Sequence, residues 1–449
     1  MYRTLLPILL SWKEDPFRKP LLLRGARQVG KSYLVERELG PKFDNVVSIN
    51  FEHRPQFGSL FTEDLDPQRI LRGIEALTGK KILPGRTLLF LDELQECPEA
   101  ISALRYFYEE LPELHVIGAG SLLEFTLGRV SFPVGRVRSL RVSPLTFEEF
   151  LISIGKQNLR DLIRAHDLVT PFPKALHDEA LSLIDLYLIL GGMPEVVATW
   201  LKTQDLRGAI SVQEDILIVL RQDFPKYARH KSTLSNIDLI FMRLATFVGE
   251  QITLARIGPN IRAEYTRSVL DLLERALLMR LVRPTLGIPL SGSIQEGNIK
   301  PLLLDVGLYS QLSGLDGARW LTLKHEILNA GQLAEQFVGQ ELLARVEDPR
   351  DGVYYWRRDK PGSSAEIDYI VQHGDSLVPI EVKSGAIGTL KSLHIFLDSV
   401  KSSAKYGVKV SRANFDRSER VWSIPLYAFW AWLEEGLIKR KILGSEPYK

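Results

Sequence analysis

Cysteine is almost absent: Cys97 is the only one in 449 residues. That excludes a disulfide framework and a cysteine-ligated zinc knuckle, and it suits a reducing compartment. A membrane-length apolar run is missing too. The longest apolar region, LSLIDLYLILGGM at 181–193, is broken by Asp185 and is too short to span a bilayer. The opening MYRTLLPILLSWKED lacks a small-residue cleavage site, so no secretory signal is expected. These absences predict a cytoplasmic protein with no membrane partner. An excess of charge of one sign is also missing, with Lys+Arg 57 against Asp+Glu 55. Bulk charge therefore gives no nucleic-acid signal, and any basic surface must be local. What is present, 45% hydrophobic and 25% charged residues over this length, predicts a globular chain of two to four domains.

The strongest motif is KPLLLRGARQVGKSYLVERELGP, at 19–41. Leu21 to Leu23 read as a buried strand. Gly25-Ala-Arg-Gln-Val-Gly30-Lys31-Ser32 follows, and a helix is expected from Lys31 to the Gly40-Pro41 stop. This is GxxxxGK[ST] in its strand–loop–helix setting. Gly25 and Gly30 let backbone N–H groups wrap phosphates, and the helix start adds positive potential. Lys31 is expected on the β- and γ-phosphates of ATP, Ser32 on Mg²⁺, and Tyr33 beside them as a nucleotide contact.

A partner motif lies in RTLLFLDELQ, 86–95. Thr87 to Leu91 suit a strand buried on both faces, ending at Asp92-Glu93 where α/β sheets place ligands. Asp92 is expected to assist Mg²⁺ and Glu93 to polarise the attacking water. HVIGAGS, 115–121, reads as another strand. Ser121 either senses the γ-phosphate or caps the helix at LLEF. GRVSFPVGRVRSLR, 128–141, has four arginines and no acid. Arg136, ahead of Arg129, is the candidate arginine finger for a neighbouring copy's nucleotide; a solvated basic loop is the alternative.

With PLTFEEF at 144–150, GGMPE at 191–195, LLLDVGL at 302–308 and the late EIDYIV…IEVK, the chain resembles the bacterial and archaeal AAA-family ATPases that carry a C-terminal domain of unknown function. The resemblance covers nearly the whole length. It implies an ATPase joined to a DNA-associated module and, with a finger in trans, a homo-oligomer. The expected class is multidomain α/β: an AAA-type P-loop domain at 1–150, a helical lid at 151–232, a winged helix-turn-helix at 233–315, and an α/β nuclease-like domain at 316–449.

In the lid, Asp185, Glu195 and Asp215 read as helix-surface acids without chemistry. Residues 236–283 have a helix-turn-helix shape. One helix ends near Gly249, Gly258-Pro259 turns, and an amphipathic helix is expected from Thr266 to Leu281. RLVRPTLG and IKPLLLDVG would be the strands of a wing. Six arginines against three acids lie between Arg256 and Arg283, and Arg262 and Arg267 are placed to meet DNA phosphates. A winged helix used only for protein packing is the alternative.

The stretch AEIDYIVQHGDSLVPIEVKSG, 365–385, reads as two strands with acids at 366, 368 and 381 and a lysine at 383. Alternation puts Glu366 and Asp368 on one face, lets Asp368 and Glu381 converge when the strands pair, and leaves Ile367, Tyr369, Val371, Ile380 and Val382 on an apolar face. Upstream, GQLAEQFVGQELLARVE is a helix with Glu335 in an apolar row. Helix–strand–strand–strand with acid…Asp…Glu-x-Lys resembles the nuclease fold of restriction endonucleases and Holliday-junction resolvases. The resemblance implies Asp368 and Glu381, with Glu335, as Mg²⁺ ligands and Lys383 as the charge stabiliser near a scissile phosphate; Glu366, two residues earlier on the same face, is the alternative to Asp368. A solvated Glu–Lys face, or a fold kept only for binding DNA or protein, is the alternative.

Overall fold

The computed structural model describes residues 1–126, 133–227, 231–286, 290–294, 297–315, 330–345, 353–360, 363–373, 376–385, 390–400 and 403–434. The chain forms two compact units: 1–144 with 275–278, and 145–274 with 279–449.

The first unit is built on five parallel strands, β1 (Leu21–Arg24), β2 (Asn45–Asn50), β3 (Thr87–Asp92), β4 (His115–Gly120) and β5 (Arg138–Arg141), in the order β2-β3-β4-β1-β5. Every residue of β3 and β4 is buried, as strands covered on both faces require. One face carries the helices Pro67–Thr78 and Pro98–Glu110, which pack Ile70, Ile74, Ile101 and Leu104 against Leu89, Leu91 and Val116. Asp66 caps the first of these by accepting from the Gln68 amide at 2.9 Å, Pro67 sits at its first turn, and Gly79 at φ 68° ends it. After Lys31–Tyr33 the P-loop helix continues in wider π-type turns over Leu34–Leu39 rather than as one regular helix.

The second unit holds an eight-stranded mixed sheet. Its strands are β6 (Met279–Pro284), β7 (Lys300–Leu303), β8 (Tyr354–Lys360), β9 (Ser363–His373), β10 (Ser376–Val382), β11 (Gly407–Ser411), β12 (Asp416–Arg417) and β13 (Val421–Pro425), in the order β12-β13-β11-β10-β9-β8-β6-β7. The antiparallel hairpin β6–β7, expected as a separate wing, thus continues the sheet of the C-terminal segment: Arg283 and Pro284 pair in parallel with Tyr354 and Tyr355. A division at 315/316 does not separate these strands, because β6 has a free edge once β7 has paired with its other side. Helices Lys231–Ala245, Leu254–Ile257 and Ala263–Arg275 precede the hairpin, and Ile252 bridges Ile299 antiparallel. The last helix ends at Arg275, short of the expected Leu281. Leu277 turns left-handed at φ 60°, and Met279 already opens β6. Trp430 and Trp432 are buried packing residues.

Alternation also fails once in β9. Trp356 faces Ile367 but Tyr354 faces Ile370, so three residues of β9 span two of β8. This bulge keeps Ile367 and Ile370 in one core with Trp356, Leu393 and Phe396. It turns Tyr369 out of the expected apolar set, and its hydroxyl donates to the Glu335 carbonyl at 2.9 Å.

Three of the quoted motifs meet in a buried polar web. Asp305 accepts from the amides of Gly192 (2.7 Å), Gly307 (2.9 Å) and Leu308 (3.1 Å), which caps the helix Val306–Leu312. Leu145 donates its amide to the Gly192 carbonyl at 2.7 Å, and Tyr187 donates its hydroxyl to the Leu145 carbonyl. Gln340 reaches the Tyr187 hydroxyl and the Val306 amide, while Glu341 accepts from the Phe147 amide. Gly191 stands at φ 69°, where a Cβ would meet the Asp305 carboxylate. Asp185 is also buried rather than on a helix surface, and the Arg412 guanidinium meets both its oxygens at 2.5 and 2.9 Å.

Asp305→Ala orphans three buried amides. It is expected to lower the stability of the second unit by about 3 kcal/mol, read from the shift of its urea transition. A shift no larger than that of a surface Asp→Ala change would mean that the web does not hold the motifs together.

Candidate functional site

In the first unit, Gly25 lies where a Cβ would collide with the Val142 carbonyl, and Gly30 adopts φ 90°. Those two constraints bend the chain from β1 into the helix start. Lys31 is buried, and its ammonium donates to the carbonyls of Gly25 (3.0 Å) and Ala26 (2.8 Å). Burial drives its pKa down to about 8, against the pull of Glu93 and Asp92. Ser32 Oγ donates to Asp92 Oδ2 at 2.7 Å, so the two expected Mg²⁺ ligands already touch. Asn50 Nδ2 approaches the same oxygen at 3.4 Å. Burial raises the pKa of Asp92 against that hydrogen bond. Glu93 adopts φ 54° and accepts from Gln95 Nε2 at 2.5 Å.

Strand β4 lies between β1 and β3, so Ser121 leaves the sheet between the P-loop and the acid pair. Its hydroxyl is buried with no hydrogen-bond partner among the described residues, which is what a γ-phosphate contact needs. The helix at LLEF begins at Leu123. Tyr33 is exposed and its hydroxyl accepts from the Met1 amine at 3.1 Å. Arg136 is half-buried and pairs with Glu109, while Arg129 lies outside the described residues.

The second unit gathers the late acids. Glu381 follows Ile380, which pairs with Tyr369, and so comes beside Asp368. Burial, then repulsion by Asp368, pushes the Glu381 pKa up to about 7. Lys383 donates to Glu381 Oε1 at 2.6 Å. Asp368 Oδ2 accepts from the Val382 amide at 2.8 Å. Glu335 comes from the helix Ala330–Leu343, and burial with repulsion by Asp368 pushes its pKa up to about 8.

The centre of this cluster is a residue the sequence reading passed over. Lys300, first in β7, sets its ammonium 2.5 Å from Glu366 Oε1 and 3.3 Å from both Glu335 Oε2 and Asp368 Oδ1. Its side chain is 3% exposed. Burial alone would lower its pKa, but Glu335, Asp368 and Glu366 outweigh it and hold the pKa well above the usual value. Gln251 donates to Glu366 at 2.6 Å and accepts from Arg357 at 3.2 Å. The only signal in the sequence was a lysine opening the apolar run PLLL, whose acid partners stand 35 to 68 residues further along the chain. Among the described residues no group of three or more His, Cys, Asp or Glu is disposed to hold a metal ion.

Residues 17–151 match the model of an AAA domain. The N-terminal unit is an AAA-type P-loop ATPase domain. Within the remainder, residues 181–319 and 330–429 match two further models, each described as a domain of unknown function (DUF8612 and DUF4143). No curated protein matches the sequence. Among solved structures, a Walker-type ATPase of Pyrococcus abyssi is 18% identical, covering 68% of this chain and 93% of its own, with a TM-score of 0.40. A STAND-class signal-transduction ATPase with a tetratricopeptide-repeat sensor from Pyrococcus horikoshii is 13% identical, covering 75% of this chain and 45% of its own, at 0.25. At such scores the likeness carries no argument about function. No single described helix is long and apolar enough to cross a membrane.

For the AAA domain, Lys31→Ala is expected to abolish ATP turnover with the fold intact by circular dichroism; wild-type turnover in that variant would contradict the site. For the acid cluster, Glu335 and Glu381 have pKa values of about 8 and about 7 when folded, above the ordinary carboxylate value of 4.5. The folded state therefore binds their protons more tightly, and stability falls as pH rises through 7 to 8. Melting temperature should drop between pH 6 and pH 8.5, and Asp368→Asn, by removing the repulsion, should flatten that slope.

Proposed function

We propose that this chain is an ATP-hydrolysing AAA protein that acts on DNA, with Mg²⁺ as the partner of ATP. The observation that carries the ATP half is the orphaned Ser121 hydroxyl beside a formed Lys31–Ser32–Asp92–Glu93 constellation. Ser32 and Asp92 would hold Mg²⁺, which when bound neutralises charge on the phosphates. Lys31 would exchange two backbone carbonyls for the β- and γ-phosphates. Ser121 would donate to the γ-phosphate, and Glu93 would orient the attacking water and take its proton. Arg136, by exchanging Glu109 for a neighbouring copy's nucleotide, would make the active form a homo-oligomer.

The DNA half is supported by the order helix, bridge, helix, helix, hairpin across Lys231–Leu303, which is the order of a winged helix. Arg262 and Arg267 are exposed at the start of the last of these helices, where phosphate contacts would position the duplex. Asp368, Glu381 and Lys383 would form the Asp…Glu-x-Lys set of a nuclease site, with Asp368, Glu381 and Glu335 as the Mg²⁺ ligands of a phosphodiester cleavage. A second reading, an ATP-dependent switch whose C-terminal segment binds DNA or protein without cutting, is favoured by Lys300 lying among those acids.

ATP hydrolysis measured with and without single-stranded, duplex and branched DNA tests the proposal. Stimulation by at least one structure is expected, weakening with salt and lost in Arg262→Glu/Arg267→Glu. Glu93→Gln should bind ATP yet hydrolyse it roughly a hundredfold more slowly. Absence of any DNA binding at low salt would overturn the DNA half. Mg²⁺-dependent nicking that disappears in Asp368→Ala would decide for cleavage over the switch.

A further inference from the structure

Two buried polar atoms of the first unit stand at one strand end without a hydrogen-bond partner among the described residues. One is Ser121 Oγ. The other is Oε1 of Gln95. Gln95 lies in the single turn Leu94–Glu96 that follows β3. That turn lies over β4, and the strand makes room for it. Gly118 and Gly120 fall on one face of β4. A Cβ at Gly118 would collide with Leu94, and one at Gly120 with Gln95 Oε1 and Leu123. Glycine weakens a strand interior, so two of them mark a place where something must approach closely. Here it is the turn that carries Gln95.

The amide has a fixed sense. Gln95 Nε2 donates to Glu93 Oε2 at 2.5 Å, and a carboxylate oxygen accepts, so the nitrogen faces Glu93 and the oxygen is left over. That oxygen can only accept. A phosphate offers it nothing, because phosphate oxygens are acceptors too. Ser121 does not satisfy it, since both atoms stand without a partner. A donor is required beside Glu93 and Ser121, and water is the donor that ATP hydrolysis brings there. Glu93 is also the acid that pulls most strongly on the Lys31 ammonium, so the Glu93–Gln95 pair stands beside the nucleotide seat.

We infer that Gln95 is a second acceptor for the attacking water: Glu93 takes one of its protons, and Gln95 Oε1 accepts a hydrogen bond from the other. This rests on the ATP-hydrolysing reading and adds a catalytic residue to it. Two acceptors fix both O–H bonds and turn a lone pair of the water toward the γ-phosphorus. The water oxygen bonds to that phosphorus, the bond to the β–γ bridging oxygen breaks and its electron pair leaves with ADP, and the proton passes to Glu93. Gln95 stays neutral throughout. By holding Glu93 Oε2 it also leaves Oε1 of that carboxylate to receive the proton.

The test compares the full-length parent with Gln95→Met, which keeps the volume and loses both polar atoms. kcat should fall at least about tenfold with KM for ATP within about twofold, because the water loses its alignment while ATP keeps its contacts. Binding of fluorescent ADP gives a readout apart from turnover. With beryllium fluoride, which mimics the bound γ-phosphate, affinity should match the parent. With aluminium fluoride, whose planar complex holds the attacking water in line, it should weaken at least about tenfold. The nucleotide-free variant should melt no lower than the parent, since an unsatisfied buried acceptor goes along with one hydrogen bond. Glu93→Gln/Gln95→Met should be slower than Glu93→Gln alone. If Gln95→Met does not fold, Gln95→Asn, which keeps the amide but draws it back, is read in the same way. Turnover at the parental rate would overturn the inference, and so would equal weakening of both complexes or a double variant no slower than Glu93→Gln. A lower melting temperature with both complexes intact would make Gln95 an anchor of the turn and overturn it as well. A parent that hydrolyses no ATP would remove the ATPase reading too, whereas an active parent with an equally active variant removes only Gln95 from it.

Discussion

A charge buried in protein must be met by another charge, and most of the second unit's arrangement around β7 follows from that constraint. Lys300 is met by Glu335, Glu366 and Asp368, and these come from a helix and a strand far from it in sequence. The pairing ties the hairpin β6–β7 to β9 and to the helix Ala330–Leu343. The same helix serves the strand again at its next residue, where Gln336 accepts from the Leu303 amide and donates to the Leu303 carbonyl. An edge strand that would otherwise expose unpaired backbone is closed by a side-chain amide. A hairpin built only to read DNA needs no buried lysine. Its presence marks the joint between hairpin and sheet as a place where charge and position are linked.

The first unit solves a different problem with strand order. Inserting β4 between β1 and β3 separates the P-loop from the acid pair by one strand, and the polar residue at the end of β4 falls between them. Ser121 thereby reaches a position that nothing in its local sequence would reveal. Lys31 rests on two carbonyls of its own loop and Ser32 on Asp92.

What the sequence made legible was whatever is written in short range. GxxxxGKS and the run TLLFLDE each depend on neighbours along the chain, and Lys31, Ser32, Asp92 and Glu93 do come together at the ends of β1 and β3. Three things escaped. The bulge at 368–369 is one residue of irregularity, and it moved Tyr369 from the apolar set to the Glu335 carbonyl. Lys300 and Asp185 found partners 35 to 227 residues away, and no local pattern predicts those. The motifs GGMPE and LLLDVGL carried the family resemblance, yet their glycines and Asp305 serve a buried web rather than a catalytic site. Residues shared across a family by fold constraint and by chemistry look alike in one sequence. Only the hydrogen-bond partners tell them apart.

The claim on which the rest of the second unit leans is that Lys300 and the acids are coupled as charges and not merely close. A double-mutant cycle on Lys300→Met and Asp368→Asn, read as unfolding free energy of the second unit, measures that coupling. Each single change leaves a buried charge less well met, while the double change removes one charge of each sign. A coupling of about 2 kcal/mol or more is predicted. Additivity within about 0.5 kcal/mol would contradict the account and return Lys300 to the role of a bystander.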